Sequence, residues 1–421
     1  MPKIYIVDVT NRDGVQTSRL GLAKLEKTII NLYLNEMGIH QSEFGFPYTH
    51  HEKNYIDANL DLAAMGVLSP IRLSGWCPMR KEEIEDSFRS GKLKNVNLSI
   101  STSQLMTEGK FSGRIVRKPE ENPSLPNLLD IMAGNVELAK RLGAEIVGVN
   151  AEDASRTDDE YLVRFALRAK EAGADRFRYC DTLGYDDPLT IYRRTRMLAE
   201  TVGIPIELHC HNDLGLGVAC SVAGAQGAID GGVDAYVNTA INSMGERAGN
   251  ADLVSVILAI KKASGLAGKY QLDERVDLTK AWKVAKYASY AFGVPIPINQ
   301  VGVGANAFAH ESGIHADGAL KDRRNYELYD FEELGRGEPE IIDTGREITA
   351  GEYSGIKGFR NVYGKLEIEF HNDREANDIL ELVRYANVHT QKPLTDDELR
   401  FVAKYPDLAR KIMTMTPLSQ G

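Results

Sequence analysis

The chain has 421 residues, 43% of them hydrophobic and 26% charged, a composition that excludes a mini-protein or a disordered segment and supplies a large core. Sixty acidic against fifty basic side chains leave a net charge of −10, which speaks against nucleic acid or an anionic membrane as a partner. No apolar run approaches the roughly 18 residues of a membrane span. Asp8 interrupts the N-terminal stretch where a signal peptide keeps its apolar segment, so a cytoplasmic protein is expected.

In chain order, short β-branched runs alternate with stretches of helical periodicity. Strands are expected at 3–10, 40–47, 71–77, 95–102, 144–150, 175–182, 205–212 and 234–240, followed by helices at 21–37, 50–65, 80–90, 126–142, 158–172, 188–202, 217–229 and 250–264. Gly38, Gly143, Gly173 and Gly231-Gly232 stand where helices must stop. Eight such units predict an α/β fold, a (β/α)8 TIM barrel over residues 1–270, followed by a smaller mixed α/β C-terminal region over 271–421. That region is expected to hold helices at 278–292, 375–387 and 396–404 and a strand at 365–370, and the charged, proline-rich stretch 114–126 reads as a long barrel-top loop. Cys77, Cys180, Cys210 and Cys220 form no CxxC pair and are expected to be reduced.

The strongest chemical signal is Glu207-Leu208-His209-Cys210-His211-Asn212-Asp213, in the seventh strand. A strand sends alternate residues to one face, so Glu207, His209 and His211 project together near the catalytic mouth of the barrel. Asp13, in Arg12-Asp13-Gly14 after the first strand, arrives at the same mouth. A carboxylate with two imidazoles suits a divalent cation that keeps positions open for substrate.

Four motifs occur in order: Arg12-Asp13-Gly14-Val15-Gln16, His209-Cys210-His211-Asn212-Asp213, Gly245-Glu246-Arg247-Ala248-Gly249-Asn250 and Gly313-Ile314-His315-Ala316-Asp317-Gly318. With them the chain resembles, from residue 3 to about 330, the family of 2-isopropylmalate, citramalate and homocitrate synthases, which condense acetyl-CoA with a 2-oxo acid. Within it the segment His310-Glu311-Ser312-Gly313-Ile314-His315 looks most like nitrogen-fixation-type homocitrate synthases. The resemblance implies a divalent metal (Mg²⁺, Mn²⁺ or Zn²⁺) on Asp13, His209 and His211, with Asn250 completing or supporting the sphere. It implies that Arg12 stabilises the developing alkoxide, that Gln16, Glu43, Thr182 and Glu207 surround the acceptor, and that Thr182 contacts its carboxylate. Glu152, paired with His315 and assisted by Tyr326, would take the methyl proton of the co-substrate acetyl-CoA. Relatives deliver that histidine and tyrosine from the neighbouring subunit, so a homodimer with shared active sites is implied.

The motifs also depart from the pattern. Val15 replaces a usual glutamate, Pro78 stands where relatives often have arginine, and Gly351-Glu352-Tyr353-Ser354-Gly355 replaces a Gly-Lys-His-Ser-Gly motif. Lysine-pathway homocitrate synthases grip 2-oxoglutarate with an arginine where this chain has Gly148. Nitrogen-fixation-type enzymes also lack that arginine, so the resemblance keeps 2-oxoglutarate, giving homocitrate, as the first expectation, with oxaloacetate, in a Re-face citrate synthase, as the alternative acceptor. Isopropylmalate or citramalate synthesis follows, and a C–C lyase on the same scaffold is the alternative class. Arg72, Arg176 and Arg178 are the candidates for holding a distal carboxylate.

Overall fold

A computed structural model describes residues 1–118, 120–340 and 345–417. Eight strands, β1 (Ile4–Asp8), β2 (Gln41–Gly45), β3 (Arg72–Pro78), β4 (Asn95–Ser101), β5 (Ile146–Glu152), β6 (Arg176–Asp181), β7 (Ile206–Cys210) and β8 (Ala235–Thr239), close into a barrel. Every neighbouring pair is parallel, and β8 joins β1 over the full register from Ile4↔Ala235 to Asp8↔Thr239. This is the predicted barrel, with each strand found inside or within two residues of its expected span.

Parallel strands need helical crossovers. These are α1 (Lys24–Glu36), α2 (Lys53–Ala64), α3 (Lys81–Ser87), α4 (Gln104–Phe111) with α5 (Leu128–Arg141), α6 (Asp159–Glu171), α7 (Pro188–Val202), α8 (Gly217–Asp230) and α9 (Leu253–Lys262). Local chemistry sets their ends. In α7, Asp187 accepts from the amides of Leu189 and Thr190, Pro188 occupies the first turn, and Gly203 ends the helix at φ +62°.

The alternation in β7 decides what faces the mouth. Leu208 packs outward against α8, where a Cβ on Gly224 would come within 2.6 Å of its Cδ1. Burying that leucine contributes about 1.5–3 kcal/mol and fixes the register. Glu207 and His209 then point inward. A one-residue slip would send both histidines into the apolar helix layer.

Beyond α9, residues 271–273 run beside β1, where Gln271 O accepts from Ile4 N and Asp273 N donates to Ile4 O. The rest is built from α10 (Ala281–Phe292), α11 (Gly313–Lys321), α12 (Ile356–Lys365), α13 (Asp373–Thr390), α14 (Asp396–Lys404) and α15 (Pro406–Met413). α13, α14 and α15 pack on α1, fastened by Tyr33 Oη donating to Asp397 at 2.5 Å and by the Lys392–Glu26 ion pair at 3.0 Å.

The strand expected at 365–370 is not formed: α12 runs to Lys365 and the following residues are turn and coil. The alternation of Leu366, Ile368 and Phe370 is satisfied otherwise, since Phe370 stacks on Phe359 at 5.3 Å and meets Tyr363 at 5.2 Å. In the expected loop 114–126, Val116 and Asn127 form a single parallel bridge, and residue 119 lies outside the described residues. The four cysteines are buried and free. Among the described residues no helix is long and apolar enough to cross a membrane.

Candidate metal and acceptor site

The turn after β1 is wound on one carbonyl: Val9 O accepts from the amides of Arg12, Asp13 and Gly14 at 3.0, 2.8 and 3.2 Å. This delivers Asp13 to the mouth as predicted, facing β7. Asp13 Oδ2 lies 3.1 Å from His209 Nε2 and 3.7 Å from His211 Nε2, and the two imidazoles meet edge to face at 5.0 Å. All three residues are buried, and their ligand atoms fall within 4.8 Å of one another.

Asn238 of β8 orients the first imidazole. Its Nδ2 donates to Glu207 Oε1 at 2.8 Å, which leaves its Oδ1 to accept from His209 Nδ1 at 3.1 Å. His209 Nε2 then presents a lone pair to a carboxylate oxygen. A divalent cation held by both atoms would relieve the contact between these two acceptors. Burial, reinforced by Arg12 and opposed by Asp13, lowers the His209 pKa, and burial together with His209 lowers that of His211 to about 4. Burial pushes the Asp13 carboxyl up, but Arg12, His209 and His211 hold it well below the usual range. Neutral imidazoles and an ionised carboxylate are the protonation states of metal ligands.

Asn250 comes in beside His211, to which it is bridged in the backbone. Its Nδ2 donates to Met244 O at 3.1 Å, while its buried Oδ1 has no protein partner. Gly245, at φ +151°, makes this approach possible, because a Cβ there would sit 2.1 Å from Asn250 Nδ2 and 3.2 Å from Asp13 Oδ1. The donor set fits a divalent cation.

Under the mouth lies a layer of buried ions. Arg178 Nη2 donates to Glu43 Oε1 and Glu207 Oε1, each at 2.6 Å, and Arg12 Nε donates to Glu43 Oε2 at 2.5 Å. Asn97 adds a bond to Glu43 at 2.8 Å. Burial opposes ionisation of Glu43, yet Arg12 and Arg178 bring its carboxyl down to about 2. Burial likewise opposes, and Arg178 with Arg176 outweighs it, so the Glu207 carboxyl is lowered.

Above this layer opens a pocket lined by Arg12, Asp13, Trp76, Ser99, Asn150, Glu152, Arg178, Cys180, Thr182, His209 and His211. Thr182 Oγ1 accepts from Asp153 N at 2.9 Å, so its hydroxyl proton is free to face the pocket. Asp153 holds a left-handed φ of +65°, a strained conformation of the kind that clusters at functional sites. Glu152 receives Lys110 Nζ at 2.5 Å on Oε1 and Ser101 Oγ at 2.6 Å on Oε2.

Most of the expected residues thus converge. Glu43 and Glu207 are fully buried beneath the pocket, and Gln16 is exposed on the short turn after Asp13. His315 and Tyr326 are not among the pocket-lining residues; their rings stack on each other at 4.2 Å on and just after α11. Of the three arginines considered for a distal carboxylate, Arg72 is exposed at the start of β3, and Arg176 bonds Gln41 at 2.7 Å below the ion layer. Arg178 alone of the three lines the pocket. Trp76, Ser99, Lys110, Asn150 and Asn238 were not anticipated; inward-facing polar positions on β4, β5 and β8 were the signal for Ser99, Asn150 and Asn238. With its amide oriented to match donors and acceptors, Asn150 Oδ1 accepts from Trp76 Nε1 at 3.2 Å and Arg178 Nη1 at 3.3 Å.

The fold and site together are a closed parallel barrel with a candidate divalent-metal site, one carboxylate and two imidazoles, at its C-terminal mouth. The HMGL-like sequence signature matches residues 3–287, and a second, described as homocitrate synthase post-HMGL domain-like, matches 303–390. The chain belongs to the HMGL-like family, whose enzymes condense or cleave acyl-CoA compounds. A protein of Dehalococcoides mccartyi (strain CBDB1) named citrate (Re)-synthase is 60% identical over 420 residues, covering 99% of both chains. The 2-isopropylmalate synthase 2 of Caldanaerobacter subterraneus subsp. tengcongensis is 37% identical, over 97% of this chain and 96% of its own. Homocitrate synthase 1 of Nostoc sp. (strain PCC 7120) is 33% identical, over 96% of this chain and 98% of its own. The relative at 60% identity carries the name of the alternative acceptor reading rather than of the first one.

Proposed function

We propose that this protein is a Re-face citrate synthase: it condenses acetyl-CoA with oxaloacetate, and water cleaves the thioester to give citrate and CoA. The 60% identity to the citrate (Re)-synthase, along the whole of both chains, carries this reading. Homocitrate synthesis from 2-oxoglutarate is the second reading, favoured by the 33% relative and the match over 303–390.

Asp13, His209 and His211, with Asn250 beside them, hold the cation in this account. When bound, Mg²⁺, Mn²⁺ or Zn²⁺ would polarise the keto group of the acceptor. Arg12, kept in place by Asp13 and Glu43, offers its guanidinium where alkoxide charge develops. Thr182 donates to the acceptor carboxylate. Glu43, Glu207 and Arg178 act from below, as a fixed ionic floor that keeps Arg12 and Asn238 oriented, and Gln16 approaches from the rim.

Glu152 takes the methyl proton, with His315 and Tyr326 supplied by a second copy of the chain. Supporting that docking, α11 has no buried residue, and Ile314 and Leu320 are 75% and 89% exposed. The assembly is a homodimer in which residues after about 270 complete the partner's site. Free thiol release from acetyl-CoA, with Mg²⁺ or Mn²⁺ and a panel of 2-oxo acids, tests the reaction. Release with oxaloacetate supports it; release with 2-oxoglutarate alone selects the second reading, and silence with every acceptor removes both.

A further inference from the structure

Helix α4 differs from the other barrel helices in what holds it. Of its eight residues only Thr107 is buried, and Leu105 is 64% exposed, so apolar packing anchors it weakly. Its polar ties converge on the C-terminal end of β5. Ser103, at its N-cap, hydrogen-bonds the Asp153 carboxylate. Thr102 donates through N and Oγ1 to the Glu152 carbonyl, at 2.9 and 3.1 Å. Lys110, on the last turn, donates to Glu152 Oε1 at 2.5 Å and to Ser101 Oγ at 2.9 Å. Ser101 Oγ in turn donates a hydrogen bond to Glu152 Oε2 at 2.6 Å. Both oxygens of this pocket-lining carboxylate are held, one by the ammonium and the other by a hydroxyl that the same ammonium polarises.

The other cations near the mouth are committed elsewhere. Arg156 bonds Asp153 at 2.9 and 3.0 Å, Arg178 bridges Glu43 and Glu207, and Arg12 bridges Asp13 and Glu43. Among the described residues, Lys110 is the cation paired with Glu152. A dicarboxylate in the pocket brings two further negative charges and repels that carboxylate. An exposed ion pair contributes little to folding, so this one has scope to serve geometry instead.

We propose that Lys110 is a positioning residue for Glu152, keeping the carboxylate against the pocket wall while a dianionic acceptor is bound. This rests on the reading of Glu152 as the group that takes the methyl proton. In that step the C–H bond breaks, the proton passes to Glu152, the electron pair forms the new C–C bond to the keto carbon, and the keto π pair moves to oxygen as the alkoxide beside Arg12; Lys110 neither gives nor receives a proton.

The test compares Lys110→Met and Lys110→Arg with the wild-type chain in the presence of Mg²⁺ or Mn²⁺, varying oxaloacetate and acetyl-CoA in turn with the other saturating. For Lys110→Met, kcat is expected to fall about ten- to a hundredfold, the scale set by misplacing a reacting group by an ångström. KM for each substrate should stay within about twofold, and exchange of the acetyl-CoA methyl protons with deuterated solvent should fall in parallel. Lys110→Arg should recover most of the loss. An unchanged kcat in Lys110→Met overturns the proposal, as does a rise in the KM of acetyl-CoA at constant kcat, which would make Lys110 an anchor for the coenzyme. Equal losses in Met and Arg variants also overturn it. A wild-type chain silent with every 2-oxo acid removes the reaction reading and this role together, whereas an active wild type with an unaffected variant removes this role alone.

Discussion

His209 Nδ1 stands 3.1 Å from Asn238 Oδ1, and the same Asn238 donates to Glu207 at 2.8 Å. One amide thus fixes both the tautomer and the ring plane of an imidazole at the mouth. Glu207, two residues before His209 on β7, supplies the anchor. Residues that orient metal-binding histidines in this way typically change metal affinity by about 10–100-fold when removed. Asn238→Ala is therefore expected to weaken Mn²⁺ binding by that factor with little change in the unfolding midpoint. Calorimetric titration of the metal reads the first, and urea denaturation the second. Unchanged affinity would mean that His209 is held by the strand alone.

Arg178 is among the largest fully buried side chains and bridges two buried carboxylates. Removing it leaves Glu43 with Arg12 alone and Glu207 with only the more distant Arg176, 3.7 Å away. Breaking a buried pair of this kind costs about 3–5 kcal/mol, mostly through the charge left behind. Arg178→Met should lose that much in urea unfolding, and adding Glu43→Gln and Glu207→Gln should return part of it. A loss below about 1 kcal/mol would show that water reaches the layer.

Asp8 ends β1 on the outer face of the barrel, with Oδ1 accepting from Thr10 N at 2.9 Å and a buried Oδ2 that has no partner. Burial raises its pKa to about 7, with Thr10 opposing. Because the folded-state value lies above the unfolded one, the contribution of Asp8 to stability is complete below about pH 4 and is lost as pH rises through about 7. Replacing it by Asn, which needs no proton, should remove this slope, on the order of a few kcal/mol across the window. Urea denaturation near pH 5 and near pH 8 distinguishes the two chains, and parallel pH profiles for wild type and Asp8→Asn would refute the assignment.

The sequence carries the barrel because each strand must place apolar side chains toward the helices, as Ile206, Leu208 and Cys210 do, while polar ones turn inward. The metal triad was legible for the same reason: Glu207 and His209 keep the register, and His211 follows at the strand end. Lys110 was not, since Gln104–Phe111 has no apolar stripe and its helix is held by polar ties. The false strand at 365–370 arose where alternating apolar residues pack on an aromatic cluster instead of a sheet. Arg72, Arg176 and Arg178 could not be ranked from composition, because depth in the barrel separates them: Arg72 is exposed, Arg176 lies deep, and Arg178 reaches the pocket.

We propose that Asp13, from one end of the barrel sequence, and His209 with His211, from the other, grip a single divalent cation that also receives the acceptor. Electron paramagnetic resonance of Mn²⁺ added to the wild-type chain measures this directly. The account predicts a stoichiometric bound signal that changes on adding oxaloacetate, and loss of both binding and condensation in Asp13→Ala and His209→Ala although each variant remains folded. Undiminished Mn²⁺ binding in those variants, or a bound signal indifferent to oxaloacetate, would contradict it.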